Sequence, residues 1–234
     1  NTKFGYLTGI QYLAPYKTSG VNLCPMAEKA GCIDSCLYYA GRGKFENVKA
    51  ARLNRTKLYL TNQAAYFKQL VKEIIALEKK AAKMGLKPLI RLNGTSDIRW
   101  ENIHFVYNNV TYRNIFELFP NIQFMDYTKI PNRYNSMNGI SDFPSNYDLT
   151  FSYSGAPGFE KYNQRAIDKG MRIAAVFDKV ESIPLTFHKR QVLSGDDNDL
   201  TFIKPKNSIL GLYAKGSKKE IQLGLDSQFI IKGV

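Results

Sequence analysis

Four apolar segments, Pro88–Leu92 (PLIRL), Ile122–Tyr127 (IQFMDY), Leu149–Tyr153 (LTFSY) and Arg172–Phe177 (RIAAVF), each run straight into a cluster of polar or turn-forming residues. Short apolar runs with such stops read as buried strands. Helical patterns occupy part of the chain around them. Val48–Leu60 reads as one helix, and Thr61 or Asn62 caps a second. In that second helix Phe67, Leu70, Val71, Ile74, Ile75 and Leu77 keep helical spacing up to a stop at Gly85. Glu160–Lys169 forms another helix, stopped at Gly170, and Phe4–Leu13 supplies an opening segment ahead of all of these. Strands alternating with helices predict an α/β fold with a mostly parallel sheet, either a partial (βα) barrel or an open parallel sheet. The last quarter changes to short β-like pieces, Leu200–Ile203, Ile209–Tyr213 and Phe229–Ile231, read as closing strands plus a small β-rich C-terminal appendage. No linker or low-complexity tract divides the chain, so the expectation is a single domain over residues 1–234, with a cysteine loop at 20–44. Ligands of such sheets bind outside the carboxyl ends of the strands, where each of the polar clusters lies.

The three cysteines all fall between Cys24 and Cys36, spaced C-x7-C-x3-C. A chain of 234 residues with 44% apolar side chains builds its core without disulfides. The odd thiol count, with no apolar signal segment at the start, predicts a reducing cytoplasm and a metal or redox role. No apolar stretch approaches the length of a bilayer span, so no membrane partner is expected. Three thiolates can hold three irons of a [4Fe-4S] cluster and leave the fourth iron open. They can also bind Zn with a ligand from elsewhere, although the paired C-x2-C spacing of structural zinc is absent. His104 and His188 are the only histidines available for that fourth position. The remaining alternative is three small buried side chains that happen to cluster.

The densest polar turn, Asn93-Gly94-Thr95-Ser96-Asp97 followed by Arg99, offers donors and acceptors for a ribose, carboxylate or phosphate and is the candidate cofactor-binding segment. An Asx or Ser/Thr turn capping a helix near Trp100 accounts for the same residues without a ligand. Ser152, Ser154, Asp178 and Lys179 sit at other strand ends. Asp196, Asp197 and Asp199 with Asn198 are hard oxygen donors for Mg or Ca, or the polar residues of a solvated turn. Arg42 and Lys44 lie beside the thiols, where they would offset the charge of a thiolate-ligated centre. The formal charge is 33 − 20 = +13, which makes a nucleic acid or nucleotide a candidate partner. Lys68, Lys72, Lys79, Lys80 and Lys83 lie along the second helix, and Lys215, Lys218 and Lys219 form a small cluster. A solvated helix face explains the first group equally well.

The block Gly20–Cys24 (GVNLC) with Ala30–Gly41 (AGCIDSCLYYAG) resembles the cysteine motif of the bacteriophage "gene product 88" family of uncharacterised proteins. Arg91–Asp97 (RLNGTSD), Ser194–Phe202 (SGDDNDLTF) and Ala214–Gly216 (AKG) are similar to that family as well. A more distant similarity is to radical SAM enzymes, which place a three-cysteine loop after the first strand of a partial barrel and a Gly-rich segment after the second. That superfamily spaces its cysteines C-x3-C-x2-C, and Thr95-Ser96-Asp97 stands where it carries an acidic residue. The second resemblance implies S-adenosylmethionine at the open iron. Together these readings predict an iron-sulfur protein on a radical-SAM-like barrel, with Cys24, Cys32 and Cys36 as ligands. It would act on a nucleotide or nucleic acid if it is an enzyme. The alternative is a non-catalytic nucleic-acid-binding protein with a structural metal.

Overall fold

The computed structural model describes residues 1–33, 43, 45–133 and 143–233. Its strands are β1 (Tyr6–Ile10), β2 (Lys87–Arg91), β3 (Phe105–Tyr107), β4 (Val110–Tyr112), β5 (Gln123–Thr128), β6 (Tyr147–Ser152), β7 (Ile173–Phe177), β8 (Thr186–Phe187), β9 (Arg190–Ser194) and β10 (Ile209–Tyr213). The helices are α1 (Tyr16–Ser19), α2 (Glu46–Thr61), α3 (Gln63–Lys83), α4 (Ile115–Leu118), α5 (Glu160–Asp168) and α6 (Lys218–Asp226). Eight strands form one sheet in the order β1-β2-β5-β6-β7-β10-β9-β8, and β3-β4 is a separate hairpin. The pairings β1–β2, β2–β5, β6–β7, β7–β10 and β10–β9 are parallel, whereas β8–β9 is antiparallel. An open α/β sheet fits this order. The strand order records no β1–β8 pairing among the described residues.

By contacts the chain divides into two compact units, the first comprising Asn1–Leu23, Phe45–Asp126 and Tyr134–Asp148 and the second Cys24–Lys44, Tyr127–Arg133 and Leu149–Val234. In the first unit α3 is the longest element, and its start follows from Asn62, whose side-chain oxygen accepts from the Ala65 amide at 3.0 Å. Its end follows from Gly85, which takes φ 66° where a side chain would be strained. The apolar face of α3 buries Tyr66, Phe67, Leu70, Val71 and Ile74. Tyr66 stacks on the fully buried Trp100 with ring centres 6.0 Å apart, and Phe67 stacks on Phe105 at 4.4 Å. Burial pushes the Tyr66 phenol far above its ordinary pKa.

In the second unit β7 and β10 pair over their full lengths, Ile173–Phe177 against Ile209–Tyr213, and all of β7 but Val176 is buried. Arg172, just before β7, is 3% exposed. Its guanidinium donates to the Lys204 carbonyl at 2.7 Å and to Thr150 Oγ1 at 3.3 Å, so a charge that burial would otherwise penalise is hydrogen-bonded.

The last quarter departs from the expected β-rich appendage. Ile209–Tyr213 is an interior strand of the sheet, Leu200–Ile203 contains a 3-10 turn at Thr201–Ile203, and Phe229–Ile231 contributes one bridge, Ile231 to Phe177. Residues 218–226 form α6, begun by a reciprocal cap in which Ser217 accepts from the Glu220 amide and Glu220 accepts from the Ser217 amide. That Ser-x-x-Glu spacing is visible in the sequence.

Replacing Asn62 with Ala removes the acceptor for the first turn of α3. We expect a loss of about 1 kcal/mol in urea unfolding, with Asn62→Asp close to the parent protein.

Candidate functional site

The first part of the cysteine loop is a run of tight turns in the second unit. The Ala27 amide donates to the Cys24 carbonyl at 2.9 Å, and the Cys32 amide donates to the Ala27 carbonyl at 3.0 Å. Cys24 and Cys32 are half-buried and carry thiols rather than a disulfide. The Cys32 Sγ lies 3.5 Å from the Ala27 carbonyl oxygen. Cys36, Arg42 and Lys44 lie outside the described residues.

Two contacts pin this loop. Ala30 is fully buried, and its carbonyl accepts from Ser154 Oγ at 2.7 Å at the carboxyl end of β6. Gly31 has φ 64°, and a Cβ there would lie 2.8 Å from the Ser227 carbonyl oxygen, so only glycine permits this approach. Ser154 is itself held, because the Asn163 side-chain amide donates to its carbonyl at 2.6 Å. The Ser154 hydroxyl, at a strand end, thus positions the thiol loop.

The turn from Asn93 to Asp97 belongs to the first unit, and Asn93, Thr95, Ser96 and Asp97 are all buried. Asn93 Oδ1 accepts from Ser96 Oγ at 2.8 Å, from the Ile98 amide at 3.0 Å and from Trp100 Nε1 at 3.0 Å. Thr95 Oγ1 donates to the Leu13 carbonyl at 2.6 Å, and the Asp97 amide donates to the carbonyl of Leu23, the residue before Cys24. A Cβ on Gly94 would lie 2.6 Å from the Gln11 carbonyl oxygen and 2.7 Å from the Tyr12 ring. The glycine admits the close approach of the Gln11 backbone. Asn93, Thr95 and Ser96 thus tie the turn to the protein itself, and the 3-10 turn Trp100–Asn102 that follows has no side-chain cap.

Asp126 anchors that turn from β5. The residue is 2% exposed; Oδ1 accepts from the Asn93 amide at 2.9 Å, and Oδ2 accepts from the Leu92 amide at 3.2 Å and the Tyr147 hydroxyl at 3.0 Å. An acid inside the apolar run IQFMDY was the signal for it, since a buried carboxylate needs donors.

Other strand-end residues divide by their surroundings. Lys129, just past β5, is 7% exposed; its ammonium donates to Ser152 Oγ at 2.9 Å and lies over the Phe229 ring at 4.5 Å. Asp178 accepts from the Gly233 amide at 3.1 Å, and Lys179 is exposed. His188, in the β8–β9 turn, meets the Tyr153 hydroxyl through Nε2 at 3.2 Å; burial, then Arg190, hold its pKa below the usual value. Asp196 pairs with Lys215 and accepts from the Tyr213 amide, whereas Asp197 accepts from Ser194 Oγ. These carboxylates turn to separate partners, as in a structural turn. Among the described residues no group of three His, Cys, Asp or Glu converges on a common point.

A family model described as gene product 88 matches residues 1–233. The chain belongs to the gene product 88 family. No curated protein and no solved structure matches it. The resemblance to radical SAM enzymes gains no support from these comparisons. No helix among the described residues is long and apolar enough to cross a membrane.

Gly94→Ala should destabilise the first unit by roughly 2 kcal/mol or more, because the added methyl overlaps a backbone carbonyl that cannot rotate away. Thermal unfolding followed by circular dichroism measures the loss.

Proposed function

We propose that this member of the gene product 88 family is an iron-sulfur protein in which Cys24, Cys32 and Cys36 ligate a [4Fe-4S] cluster. The observation that carries this reading is the thiol loop itself. Cys24 and Cys32 lie on turns pinned by Ala30 and Gly31. Thiolates are the ligands that iron-sulfur clusters require, and three from one loop leave one iron open to an external ligand. Half-burial of Cys24 and Cys32 suits thiolate ligands, since it lowers solvent access to the sulfurs.

Zn of Cys3His type is the weaker reading because the paired C-x2-C spacing of structural zinc is absent and His188 already meets the Tyr153 hydroxyl. S-adenosylmethionine stands outside the proposal. Asn93, Thr95 and Ser96, the side chains that would receive it, are hydrogen-bonded to the protein itself. The chemistry supplied by the cluster is electron transfer or binding of a ligand at the open iron.

The test is anaerobic reconstitution of the parent chain and of Cys24→Ser, Cys32→Ser and Cys36→Ser. The parent should develop the broad charge-transfer absorbance of a cluster, and each variant should lose it while keeping its circular dichroism. Full absorbance in any one variant overturns the ligand assignment.

A further inference from the structure

The outward face of α3 carries an ordered charge pattern that the thiol centre does not use. Lys68, Lys72, Lys79 and Lys83 are all exposed, and their spacings of four, seven and four residues place them within about 60° of arc on one stripe. That stripe lies opposite the buried face formed by Phe67, Leu70, Val71 and Ile74. It runs about 22 Å along a helix held rigid by the packing of Tyr66 and Phe67.

Acidic residues are kept off it. Glu73 is turned to Arg55 at 3.3 Å and to Gln69 at 2.9 Å, and Glu78 lies on another flank. None of the four lysines has a carboxylate partner among the described residues. A helix face built only for solubility mixes both signs and gains from Glu–Lys pairs three or four residues apart. This one concentrates a single sign.

We propose that this stripe is a docking surface for the phosphate backbone of duplex DNA. The lysines fall into two pairs, Lys68 with Lys72 and Lys79 with Lys83, whose centres are about 16 Å apart. A major groove is about 12 Å wide, and flexible lysine stems cover the difference, so each pair meets one phosphate strand across the groove. Ammonium contacts to phosphate position a duplex without reading its sequence. α3 would thus hold duplex DNA without regard to sequence and independently of the cluster.

The experiment measures binding of the full-length chain to a random-sequence DNA duplex across a salt series. It compares the parent with a Lys68→Gln, Lys72→Gln, Lys79→Gln, Lys83→Gln variant. A control with equal charge loss carries Lys161→Gln, Lys189→Gln, Lys206→Gln and Lys232→Gln at exposed positions of the second unit. We expect the stripe variant to bind at least about 100-fold more weakly at low salt, with its log–log salt slope smaller by about 3 to 4. The control should stay within a few-fold of the parent, and the four-lysine to arginine variant should restore binding. Equal losses in stripe and control variants would mean that only net charge matters and would overturn the docking surface. So would failure of the parent to bind duplex at low salt, or equal affinity for polyglutamate or single-stranded RNA.

Discussion

The carboxylate of Asp126 fixes the geometry on which the first unit depends. β2 pairs with β5 at Leu89–Gln123 and Ile90–Phe124, and then the chain leaves the ladder. The amides of Leu92 and Asn93 would be buried without a partner there, at a cost of about 1–3 kcal/mol each. Asp126 takes both and also holds Tyr147. The side chain acts as a short extension of the strand. Because Asn93 is fixed by its amide, its own side-chain oxygen can gather Ser96, Ile98 and Trp100 into one turn. Trp100 in turn supports Tyr66 on α3.

The same logic recurs in the second unit with a neutral group. Ser154 takes the place of the acid and ties the fully buried Ala30 of the cysteine loop to the carboxyl end of β6. A buried, hydrogen-bonded attachment of this kind fixes the backbone that carries Cys32, whereas Gly31 allows the loop to approach Ser227. Polar residues at strand ends here serve position before chemistry.

Elements dominated by local signals were legible in the sequence. The Asn62 cap, the apolar face of α3 and the Gly85 stop need only residues within one helix to be recognised. The four apolar segments coincide closely with β2, β5, β6 and β7 for the same reason. The place of β10 between β7 and β9 was not legible, because pairing of Ile209–Tyr213 with Ile173–Phe177 is a long-range choice that no local pattern encodes. The β3-β4 hairpin turns on Asn108 and Asn109, both at positive φ, and α6 starts at a Ser-x-x-Glu cap; both signals were present and short. For the site, the polarity of residues 93–97 was plain. Their inward direction was not, since it depends on Leu13 and Asp126, which are distant in sequence. Cys24 and Cys32 are half-buried thiols on hydrogen-bonded turns, an environment that their spacing alone does not specify.

The central claim is that this thiol loop holds iron and sulfide. Iron and acid-labile sulfide, measured per chain on protein purified without exposure to oxygen, test it most directly. The account predicts about four of each per chain, as a cubane cluster requires. One equivalent of zinc without sulfide, or no metal in freshly prepared protein, would contradict it.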